Sequence, residues 1–158
     1  MDFGTTFYKK EVAPKMKILV DADACPVKKI IVRLAKEAKI PVTMVTDTSH
    51  QLTDDYSQVM TVDKGADSVD FALMGLLKPQ DIVVTQDYGL AAMVLGKGAQ
   101  AINQNGRIYN DENMDSLLME RHISGKIRRS GGRTKGPTKR KKENDDLFEL
   151  SFRTVLDD

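Results

Sequence analysis

Short apolar runs alternate along the chain with longer stretches in which apolar residues recur every three or four positions. KILVDA (17–22) is apolar on both faces, the pattern of a central parallel strand. Pro26 suits the first position of a helix. Val27, Ile30, Ile31, Leu34, Ala35 and Ala38 then form one apolar stripe at helical spacing. PVTMVTD (41–47) predicts a second strand and SQVMTV (57–62) a third. ADSVDFALMGLL (66–77) predicts a helix with Val69, Leu73 and Leu76 facing inward. DIVVTQD (81–87) predicts a fourth strand, followed by a short helix through YGLAAMVLG and a fifth strand near AQAIN (99–103). Residues 111 to about 128 predict a last helix. Strands alternating with helices imply an α/β fold: a three-layer sandwich with a mostly parallel sheet of four or five strands and helices on both faces.

This pattern divides the chain into three parts. Residues 1–15 show no clear period and are treated as an N-terminal extension, with Met16 a second candidate start. Residues 16–129 carry the α/β domain. Residues 130–158 hold a basic, flexible arm, SGGRTKGPTKRKK (130–142), and a C-terminal segment in which the state of LFELSF (147–152) stays open. At 158 residues, one domain is the simplest organisation.

Charge changes the picture of the arm. The formal net charge is only +1, yet ten of the 24 basic residues lie between Arg121 and Lys142, where there is no acid. The remaining 14 face all 23 acids, so the rest of the chain carries a net of −9. A basic run is either a solvated tail or an anion-binding arm, and nucleic acid is the commonest polyanion. Arg128, Arg129, Arg133, Lys135, Lys139 and Arg140, with Lys28 on the first helix, are the candidate nucleic-acid contacts, and RNA is preferred over DNA as the partner.

No apolar run approaches the roughly 18 residues of a membrane span. The first fifteen residues lack the apolar core of a secretory signal. A single cysteine, Cys25, excludes an intramolecular disulfide and suits a reducing compartment, so a cytoplasmic location is expected. A thiolate at Cys25 would be repelled by the neighbouring acids, and the residue is expected to be a small buried one. His50 and His122 have no nucleophile partner in the sequence and receive no catalytic role.

The chemistry concentrates in aspartates. In an open α/β sheet, ligands bind at the carboxyl ends of the strands. Asp21 and Asp23 follow the first strand, Asp47 the second and Asp87 the fourth, while Asp67 and Asp70 open the helix after the third. Crowded carboxylates oppose one another's ionisation, and a bound dication reverses that. Hard oxygen donors with no His/Cys cluster point to Mg²⁺ or Mn²⁺. Asp21, Asp23, Asp67, Asp70 and Asp87 are the candidate ligands, and Asp21, Asp23 and Asp87 the candidate catalytic carboxylates. Asp67 with Asp70, and separately Asp87, also fit helix caps, and Asp47 fits a turn. With Pro26 opening the helix the cap falls on Cys25, so Asp21 and Asp23 have no such duty. Thr85, Gln86, Lys28, Lys29, Asn103 and Asn105 lie at the same rim as possible substrate contacts.

The strings ILVDADACPVK, DKGADSVDFAL and VVTQDYGLAAM, in that order, resemble the bacterial YaiI/YqxD family over about residues 16–142. That family in turn resembles the PIN-like nuclease fold. The resemblance implies an aspartate after the first strand (Asp21), an acid on a following helix (Asp67 or Asp70) and the aspartate of a T-x-D stretch (Asp87), together cleaving RNA or DNA phosphodiesters with a metal ion. Many PIN domains have a further acid where this chain has Gly89, and Asp23 is the residue placed to replace its charge.

Two other readings stand beside the nuclease. ILVDADAC also fits the D-x-D frame of a haloacid-dehalogenase-like phosphatase, with Asp21 as nucleophile, Asp23 as acid/base and Thr46 or Thr48 at a later strand end. A non-catalytic nucleic-acid-binding protein is the third.

Overall fold

The computed structural model describes residues 16–47, 54–65, 67–132 and 139–157. Within them the strands are β1 (Ile18–Asp21), β2 (Val42–Thr46), β3 (Gln58–Thr61), β4 (Ile82–Val84) and β5 (Gln100–Ile102). The helices are α1 (Lys28–Ala38), α2 (Ser68–Leu76), α3 (Tyr88–Gly96), α4 (Asp111–Arg129) and α5 (Lys142–Asp157). Every strand pairing is parallel, and the order across the sheet is β3-β2-β1-β4-β5. The three-layer α/β expectation is met, with five strands. The proposed extension, residues 1–15, lies outside the described residues, as do Arg133 and Lys135.

The period of two in β1 builds both halves of the core. Ile18 and Val20 face a cluster formed with Ile31 and Leu34 of α1 and Phe148, Phe152 and Val155 of α5. Leu19 faces the other way, toward Leu73 of α2, Leu90 and Val94 of α3, and Met114 and Leu117 of α4. Helices α1 and α5 thus cover one face of the sheet, and α2, α3 and α4 the other. At the start of β1, the Lys17 ammonium meets the buried Asp81 carboxylate at 2.5 Å, while the backbone N–H groups of Lys17 and Lys78 donate to the same carboxylate.

The structure corrects the sequence reading at the first helix and settles a segment that the reading left open. Helix α1 opens at Lys28, not at Pro26, and its N-cap is Val27 with no side-chain cap. The Cys25 N–H is held by the Ala22 carbonyl at 3.2 Å, which keeps Cys25 and Pro26 in the preceding turn. That segment is at the C-terminus, where LFELSF belongs to α5. Phe148 and Phe152 stack with ring centres 5.1 Å apart and are fully buried, so this segment is part of the domain core. On the outside, Arg33 of α1 pairs with Glu149 of α5 at 2.5 Å.

Candidate active site

The strand order reverses direction between β1 and β4: β2 and β3 lie to one side, β5 to the other. Such a switch point opens a crevice beyond the strand ends, because successive connections leave in opposite directions. Asp21 ends β1, and Thr85, Gln86 and Asp87 follow β4, so the two neighbouring strands deliver their polar termini to the same gap. After Asp21 the chain turns sharply, with Ala24 in the left-handed region at φ 59°. The Gln86 side-chain amide donates to the Ala24 carbonyl at 2.9 Å and ties this turn to the β4 loop.

Thr85 joins the carboxylate of Asp21 to the backbone of Asp87. Its buried hydroxyl donates to Asp21 Oδ2 at 2.8 Å and accepts the Asp87 N–H at 3.0 Å. The Tyr109 hydroxyl donates to the Thr85 carbonyl at 3.1 Å, anchoring this residue from β5's side of the sheet. Asp87 caps α3: its Oδ1 accepts from the N–H groups of Gly89 and Leu90 at 2.8 and 3.2 Å. The capping expectation for Asp87 therefore holds, and its other oxygen is still available to a ligand. Asp67 occupies the N-cap position of α2 in the left-handed region, φ 66°, yet makes no side-chain cap bond.

Asp21 carries the electrostatic strain of the crevice. Burial pushes its carboxyl up to about 6 against the ordinary 3.8. The Thr85 hydrogen bond opposes that rise, and the negative charges of Asp70, Asp87 and Asp23 add to it. Asp70 is raised as well, by burial and then by Asp87 and Asp67. Asp23 behaves differently. Partial burial pushes its carboxyl up, but hydrogen bonds from the Thr46 hydroxyl and from Asp47 outweigh this and hold it below the usual range. Its two oxygens are directed to the end of β2, with the Asp47 N–H at 3.0 Å.

The five candidate ligands therefore share one edge of the sheet in three groups: Asp23 at β2, Asp21 with Asp87 around Thr85, and Asp67 with Asp70 on α2. Among the described residues, no three or more Asp, Glu, His or Cys side chains are arranged to hold a metal ion. The donor set nevertheless fits Mg²⁺ or Mn²⁺. Such ions are commonly held by one or two carboxylates together with water and substrate phosphate oxygens, and Asp21 with Asp87 offers that pair.

Arg121 is the residue that sequence reasoning missed. It projects from α4 into a cavity of about 410 Å³ lined by Asp21, Asp23, Gln86, Asp87 and Tyr88. A Cβ at Gly89 would stand 3.6 Å from the Arg121 guanidinium, in ordinary contact, and a tighter 3.2 Å from Asp87 Oδ1, so the glycine gives the capping carboxylate its room. In the sequence Arg121 looks like the start of the basic run. The available signal was spacing: Met114, Leu117 and Arg121 lie on one face of α4, and the first two are buried.

The basic candidates separate. Lys28 reaches the Ala22 carbonyl at 3.4 Å, close behind the Asp21–Asp23 turn. Arg128 and Arg129 lie in the last turn of α4, and Lys139 is exposed. Arg140 differs from the others in being engaged within the domain. Its guanidinium is engaged by Asp145 at 2.6 Å, Asn105 at 2.8 Å and the Gln104 carbonyl at 2.9 Å, which clamps the start of α5 to the turn after β5. Cys25 is buried, with its thiol pushed up by desolvation, as a small core residue would be.

An all-parallel α/β domain with an acidic crevice at its topological switch point is the class these features define. Within it, the chain belongs to the uncharacterized YaiI/YqxD family, whose model matches residues 19–158. It is 63% identical over 137 residues to the UPF0178 protein of Ruminiclostridium cellulolyticum, covering 87% of this chain and 90% of that one. The UPF0178 protein of Clostridium acetobutylicum is 54% identical over 143 residues, 89% and 97% of the two chains. That of Exiguobacterium sibiricum is 49% identical over 141 residues, 89% and 96%. No solved structure matches the chain. No helix among the described residues is long and apolar enough to cross a membrane.

Proposed function

We propose that this chain is a Mg²⁺- or Mn²⁺-dependent phosphodiesterase of single-stranded nucleic acid, RNA before DNA, acting in the β1/β4 crevice. One observation carries the reading. The Asp21 carboxyl ends a buried strand and is raised to about 6 by burial and by three neighbouring carboxylates. A fold gains nothing from that arrangement by itself, whereas a dication at Asp21 and Asp87 would relieve it. The bound ion would supply Lewis-acid stabilisation of the phosphoryl oxygens and a water nucleophile at neutral pH.

The protein's own groups have separable duties. Asp21 and Asp87 hold the ion, and Thr85 fixes their relative orientation. Arg121, opposite Asp87, offers a planar pair of donors to a phosphate. The resemblance to PIN-like nucleases supports the same assignment at Asp21, Asp87 and either Asp67 or Asp70. The phosphatase alternative asks Asp23 to carry a proton, but Thr46 and Asp47 favour its ionised form.

The test uses chelator-stripped protein with labelled single-stranded RNA and DNA. Cleavage should require Mg²⁺ or Mn²⁺ and fall at least about a hundredfold in Asp21→Asn. A phospho-enzyme trapped at Asp21 from small phosphate esters, with oligonucleotides left intact, overturns the proposal. So does binding of nucleic acid with no metal-dependent cleavage of any strand.

A further inference from the structure

We infer that the apolar groove beside Arg121 is a stacking site for one nucleobase of a single-stranded nucleic acid, with the Phe71 ring as its platform. The inference rests on the phosphodiesterase reading and extends it from the scissile phosphate to the base next to it. On α2, Asp70, Phe71 and Met74 share one face at helical spacing, while the buried Leu73 faces the core. Phe71 is 79% exposed and Met93 of α3 is 46% exposed. An aromatic side chain left this open serves no packing role in the domain.

These side chains line a cavity of about 500 Å³ that shares Asp87 and Arg121 with the acidic crevice. The two cavities are therefore neighbours that meet at one carboxylate and one guanidinium. A strand whose phosphate meets Arg121 can reach the groove with its adjoining base. The chemistry of the walls selects the occupant. Phe71, Met74 and Met93 offer no donor to an anion and Asp70 repels one, so a flat neutral base suits the groove better than a phosphate does. Methionine thioethers and an aromatic ring offer polarizable faces that suit stacking on any base. A second copy of the chain is the poorer occupant: three apolar side chains fall far short of the roughly 800 Å² per partner of a stable interface.

The experiment measures binding by fluorescence anisotropy, using a labelled mixed-sequence RNA of about 12 nucleotides and Asp21→Asn protein to prevent cleavage. Adding Phe71→Ala should weaken binding about tenfold, within the range known for loss of one stacked base. Adding Phe71→Tyr instead should restore it. An abasic residue walked along the strand should weaken binding to Asp21→Asn at one position and have no such effect once Phe71→Ala is added. Because Phe71 is exposed, the melting temperature should not move.

An unchanged dissociation constant in Phe71→Ala overturns the inference. An effect confined to sedimentation behaviour, with RNA affinity intact, also overturns it by assigning the groove to self-association. The two proposals fail separately. Asp21-dependent cleavage with a KM indifferent to Phe71 removes the stacking site and leaves the phosphodiesterase. Phe71-dependent binding without cleavage by wild-type protein does the reverse.

Discussion

If Asp21 is held against the repulsion of its neighbours, removing its charge should stabilise the metal-free protein. Asp21→Asn preserves the shape of the side chain, and its amide oxygen can still accept from Thr85, now 2.8 Å from Asp21 Oδ2. The folded carboxyl titrates near 6 instead of 3.8. A raised pKa means that the fold favours the neutral acid, so the unfolded chain ionises first and stability falls as pH rises from about 4 to 6. Above that window the full penalty stands. At 1.36 kcal/mol per pKa unit it is about 3 kcal/mol, and because the side chain is partly solvated, screening reduces it to about 1–2 kcal/mol. For a chain of this size that is a gain of about 3–6 °C in melting temperature. Thermal melts of chelator-treated wild type and variant, at about pH 7.5 and about pH 4, check it. The gain should appear at the higher pH and shrink to a small fraction at the lower one. Added Mg²⁺ should narrow or reverse the difference, since only the wild type would gain binding energy. Equal melting points at the higher pH, or an identical gain at both, refute the reasoning.

Other outcomes follow from the same geometry. Mg²⁺ or Mn²⁺ affinity, followed by calorimetry, should fall about tenfold per pH unit below pH 6, because protons compete for Asp21. Asp87→Ala should lose about 1 kcal/mol of stability in a thermal melt through its α3 cap, while Asp87→Asn keeps most of the cap; both should lose metal-dependent cleavage. Phe148→Ala should cost about 3–5 kcal/mol in denaturant unfolding, and deletion from residue 133 onward should leave the domain unable to fold stably, because it strips α5 from the core. The basic run is therefore tested by neutralisation, not truncation. Converting Lys126, Arg129 and Lys139 to glutamine should reduce the salt slope of log K by about 2, from roughly 0.7 per phosphate contact on a single strand, without lowering turnover at saturating substrate.

Most of the local structure was legible in the sequence, apart from the start of α1 and the whole of α5. The period of two and the helical stripes placed the five strands and the helices through α4 to within one to three residues. The carboxyl-edge rule brought Asp21, Asp23, Asp67, Asp70 and Asp87 to one side of the sheet, because a strand's C-terminal end is fixed by chain direction alone. The rest depended on contacts distant in sequence. The order β3-β2-β1-β4-β5 made β1 and β4 neighbours, which is why Asp21 meets Thr85, 64 residues further along the chain, and through it Asp87. The side chain of Asp23 was drawn to Thr46 of the adjacent strand instead. Arg121 became part of the crevice because α4 packs beside α3, and Arg140 left the arm because Asp145 and the β5 turn hold it. Helix α5 was hidden from pattern reading: its apolar residues gain meaning only against α1 and the sheet, where Phe148 and Phe152 close the core. Local propensity fixes an element; which charges face one another is set by packing, and the chemistry of this crevice lies in those charges.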